Sequence, residues 1–279
     1  MQGQTLRRNW LAAICFAITQ CVVAWRLPAQ EHLQFAFYVV AVWLGAFITD
    51  VVVLAFPSPA IGFPIRQPKA QEVLVALVFT GLAFIPLMVR FGPHWPLHQP
   101  VERLIYAAGL LLFGFFIGMA CVYLFVYRYK LSELGFNVRY WYLALLMHVV
   151  FGFITLTVAP EKSHWISWFH SNGVWSVLII GVLQAAIPEE FLRAILMTRI
   201  GALVRNNGLG LFVATFLWAS LHIPSFWSQA PHWTFWEALV SPWSIIPIGM
   251  LWGYVTYRTK SLCPTVLLHG FNLWGLQNL

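Results

Sequence analysis

Nine stretches of this chain are long and apolar enough to cross a lipid bilayer, near residues 10 to 26, 33 to 56, 72 to 89, 104 to 127, 140 to 159, 174 to 198, 209 to 223, 234 to 257 and 261 to 278. A span needs about 20 mainly apolar residues to cover about 30 Å of hydrocarbon at 1.5 Å rise per residue. Inside lipid no water satisfies the backbone, so runs of this length become helices that close against one another. The expected fold class is an all-α, polytopic transmembrane helix bundle of about eight to nine spans. With 60% hydrophobic and 9% charged residues, far below the roughly one-quarter charge of soluble domains, a soluble core is excluded. Fifteen Trp and nine Tyr suit the two bilayer interfaces.

Loop charges set the orientation. With the N-terminus inside, eleven basic residues fall on the inner side: Arg7, Arg8, Arg66, Lys69, Arg128, Lys130, Arg139, Arg199, Arg205, Arg258 and Lys260. Four fall outside: Arg26, Arg90, Arg103 and Lys162. This asymmetry predicts a cytoplasmic N-terminus. It also accounts for the formal charge of +7 without a nucleic-acid partner. Arg7 and Arg8 precede an apolar run as in a secretion signal, but no small-residue cleavage site follows Arg26, so the run reads as a retained anchor.

The Pro-rich loop from Pro57 to Gln71 divides the first two spans (1 to 71) from spans three and four (72 to 128). Residues 129 to 279 read as one functional core. Its opening segment Tyr129 to Arg139, YKLSELGFNVR, is expected to lie along the cytoplasmic surface. Cys15, Cys21, Cys121 and Cys263 lack CxxC spacing and read as small buried apolar residues.

Several ionisable or polar side chains sit inside these apolar stretches, where an unpaired charge is costly and its presence marks function. In Pro188-Glu189-Glu190-Phe191-Leu192-Arg193, either carboxylate can reach Arg193, at spacings of four and three. One carboxylate is then held by the guanidinium and the other left to exchange protons; an ion pair at a helix end, with no chemistry, has the same spacing. Trp218-Ala219-Ser220-Leu221-His222 and His269-Gly270-Phe271-Asn272 follow, the last with two polar residues on one helical face, a pattern that also glues bundles. Counted from inner boundaries at Arg199, Leu209 and Ser261, Glu189, His222 and His269 lie roughly 15, 20 and 12 Å deep. Three helices thus deliver acids and imidazoles to a similar level.

In this order the motifs resemble those of the CPBP family of intramembrane proteases, which includes CAAX prenyl endopeptidases and bacterial bacteriocin-processing and abortive-infection proteins. The family pattern is a Glu-Glu-x-x-x-Arg helix, an aromatic-x-x-x-His helix, and a His followed three or four residues later by Asn. Here these read EEFLR, WASLH and HGFN, supported by GMLWGYVTYRTKSLCPTVLLH and RNNGLG, over about residues 129 to 279. The first motif is one residue short. With Arg193 in register, Glu189 takes the second Glu position; with the Glu pair in register, Arg193 turns by about 100°. Trp218 replaces the usual Phe, and Leu273 stands where some members carry Asn.

The resemblance implies peptide-bond hydrolysis. A carboxylate in a desolvated pocket can act as general base. Glu189 or Glu190, helped by His222, would activate water, Arg193 would hold the pair, and His269 and Asn272 would donate to the oxyanion. No cofactor is expected; zinc held by Glu189, His222 and His269 is the alternative. The expected partners are the bilayer and a peptide or membrane-protein substrate, prenylated in the CAAX case. The expected location is a bacterial cytoplasmic membrane, with the endoplasmic reticulum second. Two other classes fit the residues: a non-catalytic peptide-binding or immunity protein with the shortened motif, and a transporter or proton path using Asp50 and His148.

Overall fold

In the computed structural model, residues 2–57, 62–91, 115–158, 173–175, 177–230 and 233–271 are described. Their regular elements are helices, with no strand among them. The helices are α1 (Gln2–Arg26), α2 (His32–Ala55), α3 (Lys69–Phe91), α4 (Gly118–Cys121), α5 (Trp141–Val158), α6 (Ile187–Leu203), α7 (Asn207–Ser220), α8 (Ile223–Gln229), α9 (Phe235–Val240), α10 (Ile246–Thr259) and α11 (Cys263–Gly270). The protein is an all-α helical membrane bundle.

Among the described residues five segments are long and apolar enough to cross a membrane: Asn9–Arg26, Ala29–Ala55, Lys69–Met88, Asn207–Ser228 and Phe235–Thr259; Phe115–Val126 and Trp141–Thr157 are shorter apolar helices. Three of the nine sequence segments differ in detail. The eighth bends, since α9 passes through a 3-10 turn at Ser241–Ile245 before α10. The sixth starts in wide π-type turns, Val177–Ala186, that give way to α6. Pro188 supplies a reason, because it has no N–H to give and its ring crowds the carbonyl four residues back. In the ninth, the described helix is α11 alone, and residues 272 to 278 of that segment, Asn272 included, lie outside the described residues.

The chain forms two compact units, each assembled from three stretches of sequence. Unit 1 comprises Met1–Val23, Pro64–Lys130 and Ile195–Ile246; unit 2 comprises Ala24–Phe63, Leu131–Ala194 and Pro247–Leu279. The continuous helix α6 belongs to unit 2 through Ala194 and to unit 1 from Ile195.

Unit 1 is organised around a buried carboxylate. Glu72 and Arg199 are both fully buried, and Arg199 Nε donates to Glu72 Oε2 at 2.8 Å. Glu72 Oε1 accepts from Tyr129 Oη at 2.5 Å and from the backbone N–H groups of Arg66 (3.1 Å) and Gln67 (2.9 Å). The Arg199 guanidinium lies 5.3 and 5.2 Å from the Tyr123 and Tyr129 rings, close enough for cation–π attraction. Arg199 is therefore no loop charge marking an inner boundary, as its place in the sequence suggested. Its neutralising partner lies 127 residues away, beyond the reach of local periodicity.

Tyr129 is also buried, so the segment from 129 to 139 does not simply lie along a surface. Burial and donation to Glu72 push its phenol up to about 12. A raised acid pKa adds stability that is complete below the unfolded value of about 10 and is lost as pH rises through the folded value. Alkaline unfolding followed by Trp fluorescence is expected to show a loss of stability from pH 10 to about 12 that Tyr129→Phe lacks.

Close helix approach in unit 1 depends on glycine. A Cβ on Gly210 in α7 would lie 2.5 Å from the Met197 carbonyl oxygen of α6. Between these helices Arg205 takes φ 55°, and Asn206 caps α7 by accepting from the Leu209 N–H at 2.9 Å, a standard means of satisfying a first-turn donor.

In unit 2, α10 and α11 pack against the first turns of α6, and α2 and α11 pack on α5. Tyr38 Oη accepts from the Ile248 N–H at 3.0 Å, which serves one of the unsatisfied donors in the first turn of α10. The turn after α10 is tied to the segment following Leu131: Asn137 Nδ2 donates to the Lys260 carbonyl at 2.9 Å, Ser261 Oγ to the Asn137 carbonyl at 2.8 Å, and the Leu262 N–H to the Gly135 carbonyl at 2.8 Å. Asp50 accepts from Arg258 Nε at 2.5 Å and Tyr254 Oη at 2.8 Å, so this acid is neutralised within its own unit. The cysteines depart from expectation: Cys21 is exposed and Cys15, Cys121 and Cys263 are half-buried, all as thiols. Small apolar side chains cost little on a lipid-facing surface, so burial is not required of them.

Candidate active site

Unit 2 brings together four of the six sequence-derived residues. Glu189 and Glu190 lie in the first turn of α6. Glu190 and Arg193 are buried to within 1% and 0% exposure, and Arg193 Nη2 donates to Glu190 Oε1. The i, i+3 spacing therefore selects Glu190 as the carboxylate held by the guanidinium. Glu189 is the more accessible acid, its side chain 24% exposed.

His269, near the end of α11, reaches both. Its Nδ1 lies 2.8 Å from Glu190 Oε1, and its Nε2 lies 3.7 Å from Glu189 Oε2. With Nδ1 turned to Glu190, Nε2 is the ring nitrogen that faces Glu189. Glu190 Oε2 is buried without a hydrogen-bond partner among the described residues. A buried carboxylate oxygen in that state favours a water or a polar substrate group beside it.

Glycine again permits the approach. A Cβ on Gly181 would collide with the Gly270 carbonyl oxygen, and one on Gly270 would lie 2.6 Å from Val182 Cγ2. The wide-turned segment and α11 therefore meet backbone to backbone, next to His269 in sequence.

His222 belongs to unit 1 and is described there. It follows the last turn of α7, its Nδ1 3.1 Å from the Trp218 carbonyl oxygen and its ring edge-on to the buried Trp218 at 4.8 Å. Asn272, the remaining candidate, is outside the described residues. Trp252, which packs against His269, was not among the residues singled out from sequence, since a Trp in an apolar helix is unremarkable until its neighbours are known.

Among the described residues no three His, Cys, Asp or Glu gather as ligands for a metal ion. One Glu190 oxygen is already bound by a guanidinium and an imidazole. A cation ligand engaged with Arg is a poor donor, because the two positive charges compete for it.

A separate groove of about 620 Å³ runs along α5 and α11, lined by residues including His148, Gly152, Leu267 and Phe271. His148 Nε2 lies 3.3 Å from the Leu267 carbonyl oxygen. Leu267 and Phe271 are one helical turn apart, while His269 points roughly 200° away from Leu267. The groove thus follows the face of α11 opposite the carboxylates.

Residues 170–274 match the family model for Rce1-like proteins, described as type II CAAX prenyl endopeptidase Rce1-like. The matched stretch contains Glu189, Glu190, Arg193, His222, His269 and Asn272. No curated protein and no solved structure matches the chain.

Proposed function

We propose that this chain, whose residues 170–274 match the Rce1-like family model, is an intramembrane endopeptidase of the CPBP/CAAX type in which Glu189 and His269 activate water against a scissile peptide carbonyl. The observation that carries the reading is the placement of His269 against both carboxylates, Nδ1 on Glu190 and Nε2 facing Glu189 at 3.7 Å.

Glu190, fixed by Arg193, orients the imidazole and stabilises it when it becomes cationic. A water held by Glu189 and Nε2 loses its proton as it attacks. The same proton then passes to the leaving amine, as general acid–base catalysis requires. His222 and Asn272 enter from their motifs, His222 to assist the water and Asn272 to donate to the oxyanion. The chemistry in this reading needs no metal ion. The substrate is a membrane-associated peptide, and the membrane a bacterial cytoplasmic one, in keeping with the basic loops.

The test is cleavage of a quenched peptide panel in liposomes, each peptide made with and without a C-terminal prenyl group. Wild-type protein is expected to cleave, His222→Ala to be impaired, and chelation to leave the rate unchanged. Glu189-dependent binding of the panel with no cleavage would make the chain a peptide-binding relative. Loss of activity on chelation with recovery in zinc would overturn the metal-free mechanism.

A further inference from the structure

Trp252 in α10 touches two members of the site at once. Its ring lies flat on His269, centroids 4.2 Å apart at 18°, and the Arg193 guanidinium carbon lies 5.4 Å from its centroid. The indole is 2% exposed, so it contributes through these contacts and not through solvent. The torsion that rotates an imidazole about its own stem is intrinsically broad. A hydrogen bond from Nδ1 to Glu190 fixes one atom of the ring but leaves its plane to tilt. A parallel aromatic face removes that freedom. The same face attracts the guanidinium that holds Glu190.

The backbone supplies the other restraint. The Gly181 and Gly270 contact leaves no room for a Cβ on either side, which sets the distance between α11 and the segment leading into Glu189 and Glu190. Glycine thus fixes where His269 starts, and Trp252 fixes how its ring lies.

We infer that Trp252 is a positioning residue, a flat platform that holds the His269 ring plane and the Arg193 guanidinium so that Nε2 faces Glu189. The inference rests on the reading of Glu189 and His269 as the reacting groups, and its test separates the two. Trp252→Phe keeps a flat face, whereas Trp252→Met keeps apolar bulk without one. In the full-length protein, the Nδ1 proton shared with Glu190 is expected to give a low-field imidazole resonance, assigned by its loss in His269→Gln. That resonance should persist in Trp252→Phe and disappear or broaden in Trp252→Met. In the cleavage assay, kcat should fall by about 10²-fold in Trp252→Met at little-changed KM, the scale expected for misplacement of a reacting group by about 1 Å. Trp252→Phe should recover most of this loss.

If Met and Phe variants are equal in both measurements, Trp252 is only packing and the inference is overturned. Should Trp252→Met not purify folded, Trp252→Leu is read by the same criteria. A resonance that distinguishes Phe from Met, in a protein that cleaves no peptide, would uphold the platform and overturn the protease reading.

Discussion

Glu189→Gln is expected to lower kcat by about 10²- to 10⁴-fold, the range a general base contributes, while leaving the thermal midpoint close to wild type. The amide has nearly the shape of the carboxylate but cannot accept the water's proton. Glu189 is the more accessible of the two acids, its side chain 24% exposed and 3.7 Å from the facing imidazole nitrogen, and the amide keeps its volume and shape. Glu190 differs in kind. Its replacement by Ala removes the carboxylate that holds the fully buried Arg193, and breaking a buried ion pair by removing one partner is strongly destabilising. Parallel measurement of cleavage rate and thermal unfolding in Glu189→Gln and Glu190→Ala therefore distinguishes the reacting acid from the holding one. A Glu189→Gln protein with wild-type kcat would transfer the role of base away from this residue.

Arg199→Ala is expected to destabilise the protein by about 3–5 kcal/mol, the cost of breaking a buried ion pair by removing one partner. Glu72 would keep its bonds from Tyr129 and two backbone amides but lose its only described countercharge. Urea or thermal unfolding in detergent measures the effect. The paired variant Glu72→Gln with Arg199→Met, in which neither charge remains, should recover much of the loss. If Arg199→Ala unfolds like wild type, the buried pair is not what holds unit 1 together.

The two ion pairs show how far residue order reaches. Glu190 and Arg193 are three apart, and helical geometry alone placed them within contact. Which carboxylate would take the guanidinium was open, because spacings of three and four are both neighbours on a helix. An Arg that follows an apolar run, as Arg199 does, marks a boundary in most membrane helices. Its partner Glu72 opens a different helix, and nothing near either residue advertises the other. His269 reaches Glu190 across 79 residues, and the shared depth in the sequence anticipated that meeting. The same argument puts His222 at this level; the structure describes His222 beside Trp218.

What the sequence determined by itself was the helical fold and which charged and polar side chains lie inside apolar stretches. Lipid leaves an apolar run of about 20 residues a helix as its only unbroken hydrogen-bonded form, and charged groups persist there only for a reason. The tertiary structure decided the pairings: Glu190 to Arg193 and His269, Glu72 to Arg199, and Trp252 beneath His269. Those depend on which helices meet, and the meetings are set by backbone contacts such as Gly181 with Gly270, which removes the side chain that would keep the segments apart.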